Sequence, residues 1–339
     1  MPLRAFVGGV ELLAPELSEA EWEALREAGT PVILPCCGAE GYLRRSPLGT
    51  LHFAHKRGAH CDVGGGETIH HLKAKADIVI ACQQAGYKAT TEVAGDDWRA
   101  DVLASRGSVR IAFEVQWSFL RLERAIYRQE RYARDGVRGC WFFRNPPPQL
   151  IRGDDLKADQ DLPLFHLFSN ADHSFSVAVN GQLYGIGAVV TALLGGQIHF
   201  CKTARAGRDQ RLRLTPFEID CPFCTRPTRI FYVDPHRVAH CGRQFKQRES
   251  PYAFALRPDV LKAVLLLFAG DSRLGLVNDE GFHCVSCGRL IDAQAVEMAL
   301  YGTNRLANTE SLELDVHLSE PIISGAPHWC FPADGDFCC

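Results

Sequence analysis

The sequence has no long hydrophobic run and little net charge, and each absence narrows the classes of protein that it can encode. Its longest apolar stretch is VLKAVLLLFAG, after Pro258, which is far too short to cross a bilayer. The residues up to Trp22 contain no long apolar core, so we expect no signal peptide and a cytoplasmic protein. A net charge of −3 in 339 residues gives no global indication of a nucleic-acid or membrane partner. The chain is long enough for two or three domains.

The local charge is much less even than the total. Between Arg121 and Arg152 there are eight arginines and three acidic residues, whereas residues 308–339 contain six acidic residues and no lysine or arginine. Four arginines recur at i, i+3, i+7 and i+10 on one predicted helix, namely Arg121, Arg124, Arg128 and Arg131. Guanidinium groups bind phosphates well, so this arginine ridge is a candidate DNA contact. A solvated face paired with Glu123 and Glu130 is the alternative.

The order of predicted elements divides the chain into three parts. Residues 1–62 alternate short β-like runs with Gly and Pro turns and gather Cys and His, which predicts a small β-rich module. Residues 63–148 show the order helix, three strands, helix, strand, which predicts an α/β core with a mixed sheet flanked by helices. Residues 149–339 contain two Cys-x2-Cys pairs, which predict a zinc-knuckle domain, and end in the acidic tail, to which we assign no fold.

Two carboxylates interrupt the apolar alternation of the predicted hairpin RADVLASRGSVRIAFEVQ. Asp101 lies on its first strand, and Glu114 and Gln116 share one face of the second, because strand side chains alternate with a period of two. A tight hairpin would bring Asp101 beside Glu114, and two such carboxylates are stable mainly with a cation between them. Oxygen ligands suit Mg²⁺ or Mn²⁺. The alternative is two ordinary strand-end acids partnered by Arg99 or Arg110.

The helix before this hairpin carries polar residues at helical spacing. Glu67, His71 and Lys75 are spaced i, i+4 and i+8, so they share a face that is separate from the apolar stripe of the helix. If the helix packs on the predicted sheet, this polar face would lie beside the two carboxylates. A polar stripe that only faces water is the alternative.

Five motifs, in this order, resemble the CoiA-like competence proteins of the PD-(D/E)XK nuclease superfamily: HFAH (52–55), ETIHHLKAK (67–75), RADV (99–102), FEVQWS (113–118) and YRQERYARDGVRGCWFF (127–143). The resemblance covers roughly residues 30 to 145 and is not extended to the C-terminal half. It implies a restriction-endonuclease-like core, a metal-dependent DNA nuclease, and a link to DNA uptake, recombination or processing.

The resemblance also implies roles for individual residues. The candidate catalytic residues are Glu67, Asp101, Glu114 and Gln116, of which the three acids are also the candidate Mg²⁺ or Mn²⁺ ligands. Gln116 stands where the wider superfamily has a lysine that polarises the attacking water, although the CoiA-like pattern tends to have Gln there. It marks either a variant site or a weakened or inactive one. Lys73 or Lys75 would supply a replacement cation, and Lys75 joins the arginine ridge among the predicted DNA contacts.

The fourteen cysteines favour metal ligation over disulfides, because we expect a reducing compartment. Two Cys-x2-Cys turns predict one structural Zn²⁺, since four thiolates leave no open coordination position. Its ligands would be Cys221, Cys224, Cys284 and Cys287. Four unrelated buried cysteines are the alternative, and Cys241 is a candidate substitute ligand.

A second Cys/His cluster lies near the N-terminus and comprises Cys36, Cys37, His52, His55, His60 and Cys61. In CoiA-like proteins this region resembles a small zinc ribbon, but here Leu34 occupies the position that would pair with Cys37. We predict that a second zinc ion would be held by Cys37, His55, His60 and Cys61. Cys330, Cys338 and Cys339 show no pattern that indicates a partner.

The combined prediction is a divalent-metal-dependent DNA nuclease that acts in competence or recombination on single-stranded, duplex or branched DNA. Its cofactors would be Mg²⁺ or Mn²⁺ at the carboxylates and structural Zn²⁺ at the cysteines, with no membrane partner. Two alternatives stay open. One is a DNA-binding adaptor for recombination proteins, which Gln116 favours, and the other is the nuclease effector of an antiviral defence system.

Overall fold

The computed structural model describes residues 2–56, 61, 67–152, 155–234, 236–246, 251–278, 280–301 and 310–331. The chain forms two compact units. Unit 1 runs to Lys202 and also contains the segment that begins at Pro327, whereas unit 2 runs from Thr203 to Ala326.

Several helix ends follow directly from the local sequence. The helices, in chain order, are α1 (Glu19–Ala28), α2 (Ile69–Gln84), α3 (Leu122–Arg134), α4 (Ile186–Leu194), α5 (Pro251–Ala255), α6 (Pro258–Leu267) and α7 (Ala293–Tyr301). Ser18 and Glu21 form a capping box at the start of α1. The Thr68 hydroxyl caps α2 by accepting a hydrogen bond from the His71 amide at 3.1 Å. Gly86 ends that helix with a positive φ of 76°.

The strands are short, as expected for a chain rich in Gly and Pro turns. In chain order they are β1 (Arg4–Val7), β2 (Val10–Leu13), β3 (Val32–Ile33), β4 (Glu40–Arg45), β5 (Leu51–His55), β6 (Lys88–Ala94), β7 (Arg99–Arg106), β8 (Val109–Gln116), β9 (Arg138–Phe143), β10 (Ile151–Arg152), β11 (Asp155–Leu156), β12 (Leu164–Ser169), β13 (Phe175–Val179), β14 (Gln182–Gly185), β15 (His199–Cys201), β16 (Ala204–Arg205), β17 (Asp209–Asp220), β18 (Pro227–Val233), β19 (His236–Val238), β20 (Gln244–Lys246), β21 (Leu276–Asn278), β22 (Gly281–His283), β23 (Leu290–Ile291), β24 (Leu312–His317), β25 (Ile323–Ser324) and β26 (His328–Cys330).

The central sheet of unit 1 has seven strands in the order β14-β13-β12-β9-β8-β7-β6. β8 pairs in parallel with β9, and β9 pairs in parallel with β12, whereas the outer strands are antiparallel. A parallel pair needs a crossover connection, and α3 provides it between β8 and β9. The sheet is therefore mixed.

Helices cover both faces of this sheet. α2 and α4 pack on one face, where Ile78, Val189 and Phe113 are buried in one core cluster. α3 packs on the other face, where Tyr132 and Trp141 are buried in a second cluster. Because both faces are covered, β9 has the nearly continuous apolar sequence RGCWFF, in which every residue after the first is buried.

The N-terminal residues form a separate five-stranded sheet, with the order β2-β1-β3-β4-β5. Trp22 of α1 packs on Phe53 of β5, with ring centroids 5.4 Å apart, and both side chains are buried. In unit 2, β17 lies between β18 and β24 in an antiparallel sheet. The core of unit 2 includes Phe231 and Phe282, whose rings meet edge to face.

The prediction of a mixed α/β fold, with a large mixed sheet flanked by helices, is confirmed. The sheet does not end near residue 148, however, because β12 continues it by pairing with β9, with Leu164 opposite Trp141. Residues 164–185 thus add three strands to the predicted core. The three-part division at residues 62 and 148 stays a prediction. Among the described helices, none has both the length and the apolar character needed to cross a membrane.

Candidate active site

The regular alternation of β7 breaks at Asp101. Ala100 and Leu103 both pack towards α3, while Val102 lies in the core on the α2 side, so the strand changes phase between residues 100 and 102. The neighbouring strand is also distorted here, because Glu92 has a φ of 55°, in the left-handed region that non-glycine residues seldom adopt. The carboxylate of Asp101 takes the place of a ladder acceptor, since its Oδ2 accepts the Val115 amide at 2.9 Å.

A histidine joins Asp101 to the start of α2. His71 Nε2 lies 3.2 Å from Asp101 Oδ2, and His71 Nδ1 lies 3.3 Å from Glu67 Oε1. Burial by itself would raise the pKa of Asp101, but His71, Lys75 and the Val115 amide outweigh it and hold the pKa at about 2. Asp101 is therefore ionised at neutral pH. The structure brings the predicted helix face and the predicted hairpin acid together.

Glu114 is buried, with a relative exposure of 2%, and helix α3 holds its carboxylate. Arg128 Nη2 donates to Oε2 at 2.6 Å, and the Tyr132 hydroxyl donates to Oε1. The β7–β8 pairing includes Val102 opposite Phe113, and beyond it the Val115 amide donates to Asp101 Oδ2, so Asp101 lies close to Glu114. Burial, followed by the Asp101 charge, raises the pKa of Glu114 to about 8 against the opposing effects of Arg128 and Tyr132.

Lys75 is a fully buried lysine, with 0% exposure, at the centre of a charge network. Its Nζ lies 2.5 Å from Glu67 Oε1 and also donates to Glu92 Oε1. Burial favours the neutral amine, but Glu67, Glu92 and Asp101 raise the pKa of Lys75, so it stays charged. Arg99 binds the other oxygen of Glu92 at 2.8 Å. A side chain without accessible surface cannot reach a DNA backbone in this conformation, so Lys75 is part of the site and not of the DNA contact.

The remaining predicted site residues lie at its edge. Gln116 is half-buried, and its side-chain amide donates to the Ser118 carbonyl at 2.8 Å. Lys73 faces Asp77, one turn further along α2, with 3.0 Å between Nζ and each carboxylate oxygen. Of the two candidate lysines, only Lys75 therefore approaches the predicted carboxylates.

The arginine ridge divides into two halves in the structure. Arg121 and Arg124, at the start of α3, are exposed. Arg128 is bound to Glu114, and Arg131 donates to the Asp97 carbonyl and to the Tyr127 hydroxyl. Arg121 and Arg124 thus keep exposed guanidinium groups, and that of Arg124 lies 5.7 Å from the centroid of the Tyr127 ring.

The donor chemistry at the carboxylates fits a divalent cation. Asp101 is charged, and its repulsion of an ionised Glu114 is one cause of the raised Glu114 pKa. A cation between the two carboxylates would offset this repulsion. Among the described residues, the groups whose ligand atoms all lie within 4.8 Å of one another contain cysteine in every case. Glu67, Asp101 and Glu114 do not form such a group. His71 lies between Glu67 and Asp101, and Arg128 is bound to Glu114.

The structure brings together all four residues of one predicted cysteine group and only some of the residues predicted for the other. Cys221, Cys224, Cys284 and Cys287 come together, with Sγ–Sγ distances of 3.7 Å and 3.6 Å for the pairs 221–287 and 224–284, and such a group could hold a metal ion. In the N-terminal cluster the group comprises Cys36, Cys37, His55 and Cys61. Cys36 thus takes the place expected of His60, which lies outside the described residues. His52 is buried elsewhere and its Nδ1 donates to the Thr50 carbonyl at 3.2 Å.

Three partners of the site were not predicted from the sequence. Glu92 compensates Lys75, and Arg128 and Tyr132 hold Glu114. The positions of Arg128 and Tyr132, i and i+4 on α3, gave a usable signal, because they share one face of that helix. Glu92 gave none, since it lies on a different element, seventeen positions from Lys75 in the chain.

The raised pKa of Glu114 leads to a prediction for stability. The folded state binds the Glu114 proton more tightly than the unfolded chain, whose pKa is near 4.5, so the stability of unit 1 without metal should fall as the pH rises from about 5 to 8. The loss is on the order of 1.4 kcal/mol per unit of pKa difference. Glu114→Gln should remove this component, whereas Glu123→Gln, at an exposed position, should not.

Tryptophan fluorescence can follow this transition selectively. All five tryptophans, at positions 22, 98, 117, 141 and 329, lie in unit 1. Urea unfolding in EDTA between pH 5.5 and 8.5 therefore reports on this unit alone. The structure indicates that the Glu114 carboxyl stays protonated up to a pH of about 8. If the stability of the wild type and of Glu114→Gln changed with pH in the same way, this protonation would be ruled out.

Comparison with known proteins agrees with the sequence motifs. Residues 67–157 match the family model described as competence protein CoiA, nuclease-like domain, which confirms the predicted resemblance. This segment contains α2, the β7–β8 hairpin and α3, and thus every candidate catalytic residue. The comparison with curated proteins returned no match. Among solved structures, that of Pyrococcus furiosus SfsA in complex with Ca²⁺ is 16% identical, covers 44% of this chain and 78% of its own, and has a TM-score of 0.23. A likeness of that size supports no conclusion.

Proposed function

We propose that this chain is a divalent-metal-dependent DNA nuclease of the PD-(D/E)XK type. The observation that supports the proposal is the hydrogen bond from the Val115 amide to Asp101 Oδ2, which brings the Asp101 carboxylate to the strand position next to Glu114, within the segment that matches the CoiA nuclease-like domain. A buried carboxylate and a half-buried carboxylate close together are costly in a purely structural role. The reaction would be phosphodiester hydrolysis, in DNA processing linked to competence or recombination.

The proposed roles follow from the contacts. Asp101, Glu114 and Glu67 would hold Mg²⁺ or Mn²⁺, which when bound would activate a water molecule and offset charge on the phosphate. Arg128 and Tyr132 position Glu114, and Lys75 fixes Glu67 from inside the protein. Gln116 would orient the water or a phosphate oxygen through its amide after releasing the Ser118 carbonyl. His71, between Glu67 and Asp101, is a further positioning residue.

The proposed DNA contact lies on α3 and beside the N-terminal module. Arg121 and Arg124 are exposed and can bind backbone phosphates. A cleft of about 470 Å³ is lined by Arg4, Cys36, Glu92 and Arg99, and so shares Glu92 with the Lys75 network. The cysteine group at Cys221 would hold a structural Zn²⁺ through four thiolates.

A second candidate is a DNA-binding adaptor without cleavage activity. The favouring observation is the state of Gln116, which brings no charge and whose amide is bound to the Ser118 carbonyl. Glu114 also favours the adaptor, because both of its oxygens already accept hydrogen bonds from α3. In that case the same surface would hold DNA for recombination proteins.

Incubation with plasmid and branched DNA separates the two candidates. The nuclease predicts cleavage with Mg²⁺ or Mn²⁺ and none with EDTA. The adaptor predicts retention of the same DNA in a binding assay without cleavage under any of these conditions. Absence of both cleavage and binding would overturn the proposed function in either form.

A further inference from the structure

Two tripeptides with the same pattern, His-aromatic-Cys, occur far apart in the chain. The first is His199-Phe200-Cys201 and the second is His328-Trp329-Cys330. The first forms β15, just before the chain leaves unit 1 after Lys202, and the second forms β26, just after the chain returns at Pro327. Neither tripeptide belongs to the nuclease-like segment or to the two cysteine groups described above.

The two tripeptides pair with each other as an antiparallel ribbon. His199 faces Cys330, Phe200 faces Trp329 and Cys201 faces His328. Side chains of a strand alternate between faces, and directly paired residues share a face. The register therefore places both histidines and both cysteines on one face of the ribbon and both aromatic residues on the other.

The aromatic face packs into unit 1. Trp329 meets Phe200 edge to face at 5.4 Å between centroids and contacts Phe165 of β12 at 5.8 Å. Trp329 also packs against the core on the α2 side of the central sheet. This packing fixes the orientation of the ribbon. Because the two faces of the ribbon point in opposite directions, the Cys/His face points away from that core.

Three ligand atoms on the Cys/His face already lie close together, and the fourth lies close to one of them. One nitrogen of His199 and the Sγ atoms of Cys201 and Cys330 all lie within 4.8 Å, and a His328 nitrogen lies within the same distance of the Cys330 Sγ. Cys330 and His328 have 0% exposure and Cys201 has 8%. His199 Nδ1 donates to the Gln197 carbonyl, 3.3 Å away, and this hydrogen bond orients the imidazole ring.

We propose that His199, Cys201, His328 and Cys330 form a zinc site on one face of the β15–β26 ribbon. Two thiolates and two imidazoles in tetrahedral arrangement are a donor set that Zn²⁺ prefers. The four protein ligands would complete the coordination, so the site would be structural. It would hold together the two strands at which the chain leaves unit 1 and returns to it.

Zinc content of the reduced, full-length protein tests this site. Wild type and variants are dialysed against a chelator that leaves the wild type fully loaded, and zinc is counted by native mass spectrometry. His199→Ala and Cys330→Ser should each lose one zinc ion per chain. Cys287→Ser should lose a different ion, so that the double variant His199→Ala/Cys287→Ser lacks two. Cys140→Ser, at a buried cysteine of β9 outside these groups, should keep the wild-type content.

The proposal is overturned if His199→Ala keeps all the zinc of the wild type. It is also overturned if the wild type contains a Cys201–Cys330 disulfide after purification under reducing conditions. Should Cys330→Ser fail to fold, His199→Ala still decides, because His199 is only partly buried and lies at the end of β15. The measurement does not involve DNA, so it is independent of the proposed nuclease activity.

Discussion

Replacing Asp101 with asparagine is expected to reduce metal-dependent DNA cleavage by at least ~100-fold, because loss even of an outer-shell partner of a metal ligand typically costs 10–100-fold. The substitution keeps the shape of the side chain, and the asparagine oxygen can still accept the Val115 amide that Asp101 now accepts at 2.9 Å. What it removes is the negative charge, which is present at neutral pH because the pKa of Asp101 is about 2. The fold of unit 1 should therefore persist while the cation loses its ligand.

Cleavage rate and Mn²⁺ affinity should be measured together. Asp77→Asn is the matched control, since Asp77 is bound to Lys73 on α2 and should leave both quantities unchanged. If the protein binds DNA without cutting it, Asp101→Asn should still weaken Mn²⁺ binding in a calorimetric titration. Equal cleavage and equal Mn²⁺ affinity in Asp101→Asn and wild type would show that the cation, if any, is held elsewhere.

The sequence predicted the elements around this site because their signals are local. Thr68 and Gly86 bracket α2, and the alternation from residue 99 to 116 defines the hairpin. His71 and Lys75 share a face of α2 as their spacing predicted, whereas Glu67 precedes the N-cap Thr68 and reaches the same network from outside the helix. Sequence periodicity is sufficient for such elements, since it depends only on neighbours along the chain.

What the sequence could not predict depends on contacts between distant strands. Lys75 and Glu92 are seventeen positions apart in the chain, and Glu92 forms the ion pair from a left-handed backbone conformation. A left-handed conformation is normally predicted from a glycine, and position 92 is a glutamate, so the sequence gives no sign of it. The same holds for β12, whose parallel pairing with β9 joins residues on both sides of the proline-rich segment after Arg144.

The cysteine groups illustrate a third case. The pairs 221–224 and 284–287 were predictable because each turn presents two thiols at a fixed spacing. The His-aromatic-Cys tripeptides carry an equally simple pattern, but each contains only one cysteine. Their relation becomes visible only in the antiparallel register that sets His199 against Cys330.

Lys75→Met is expected to destabilise unit 1 by about 3 kcal/mol, since removing one partner of a buried ion pair typically costs 3–5 kcal/mol. Lys75 has no exposed surface, and its loss would leave Glu67 without the ammonium that now lies 2.5 Å away. Methionine fills a similar volume, so the cost would come from uncompensated charge. Tryptophan fluorescence during urea unfolding measures it, because all tryptophans lie in unit 1.

The neighbouring lysine provides the control for this experiment. Lys73 pairs with Asp77 at 3.0 Å on a partly exposed face of the same helix, so Lys73→Met should cost less than about 1 kcal/mol. Adding Glu67→Gln to Lys75→Met should recover part of the lost stability, because it removes one of the charges left unpaired. If the double variant is no more stable than Lys75→Met alone, the buried lysine stabilises the fold through packing and not through its charge. The position of Glu67 would then not be explained by its ion pair with Lys75.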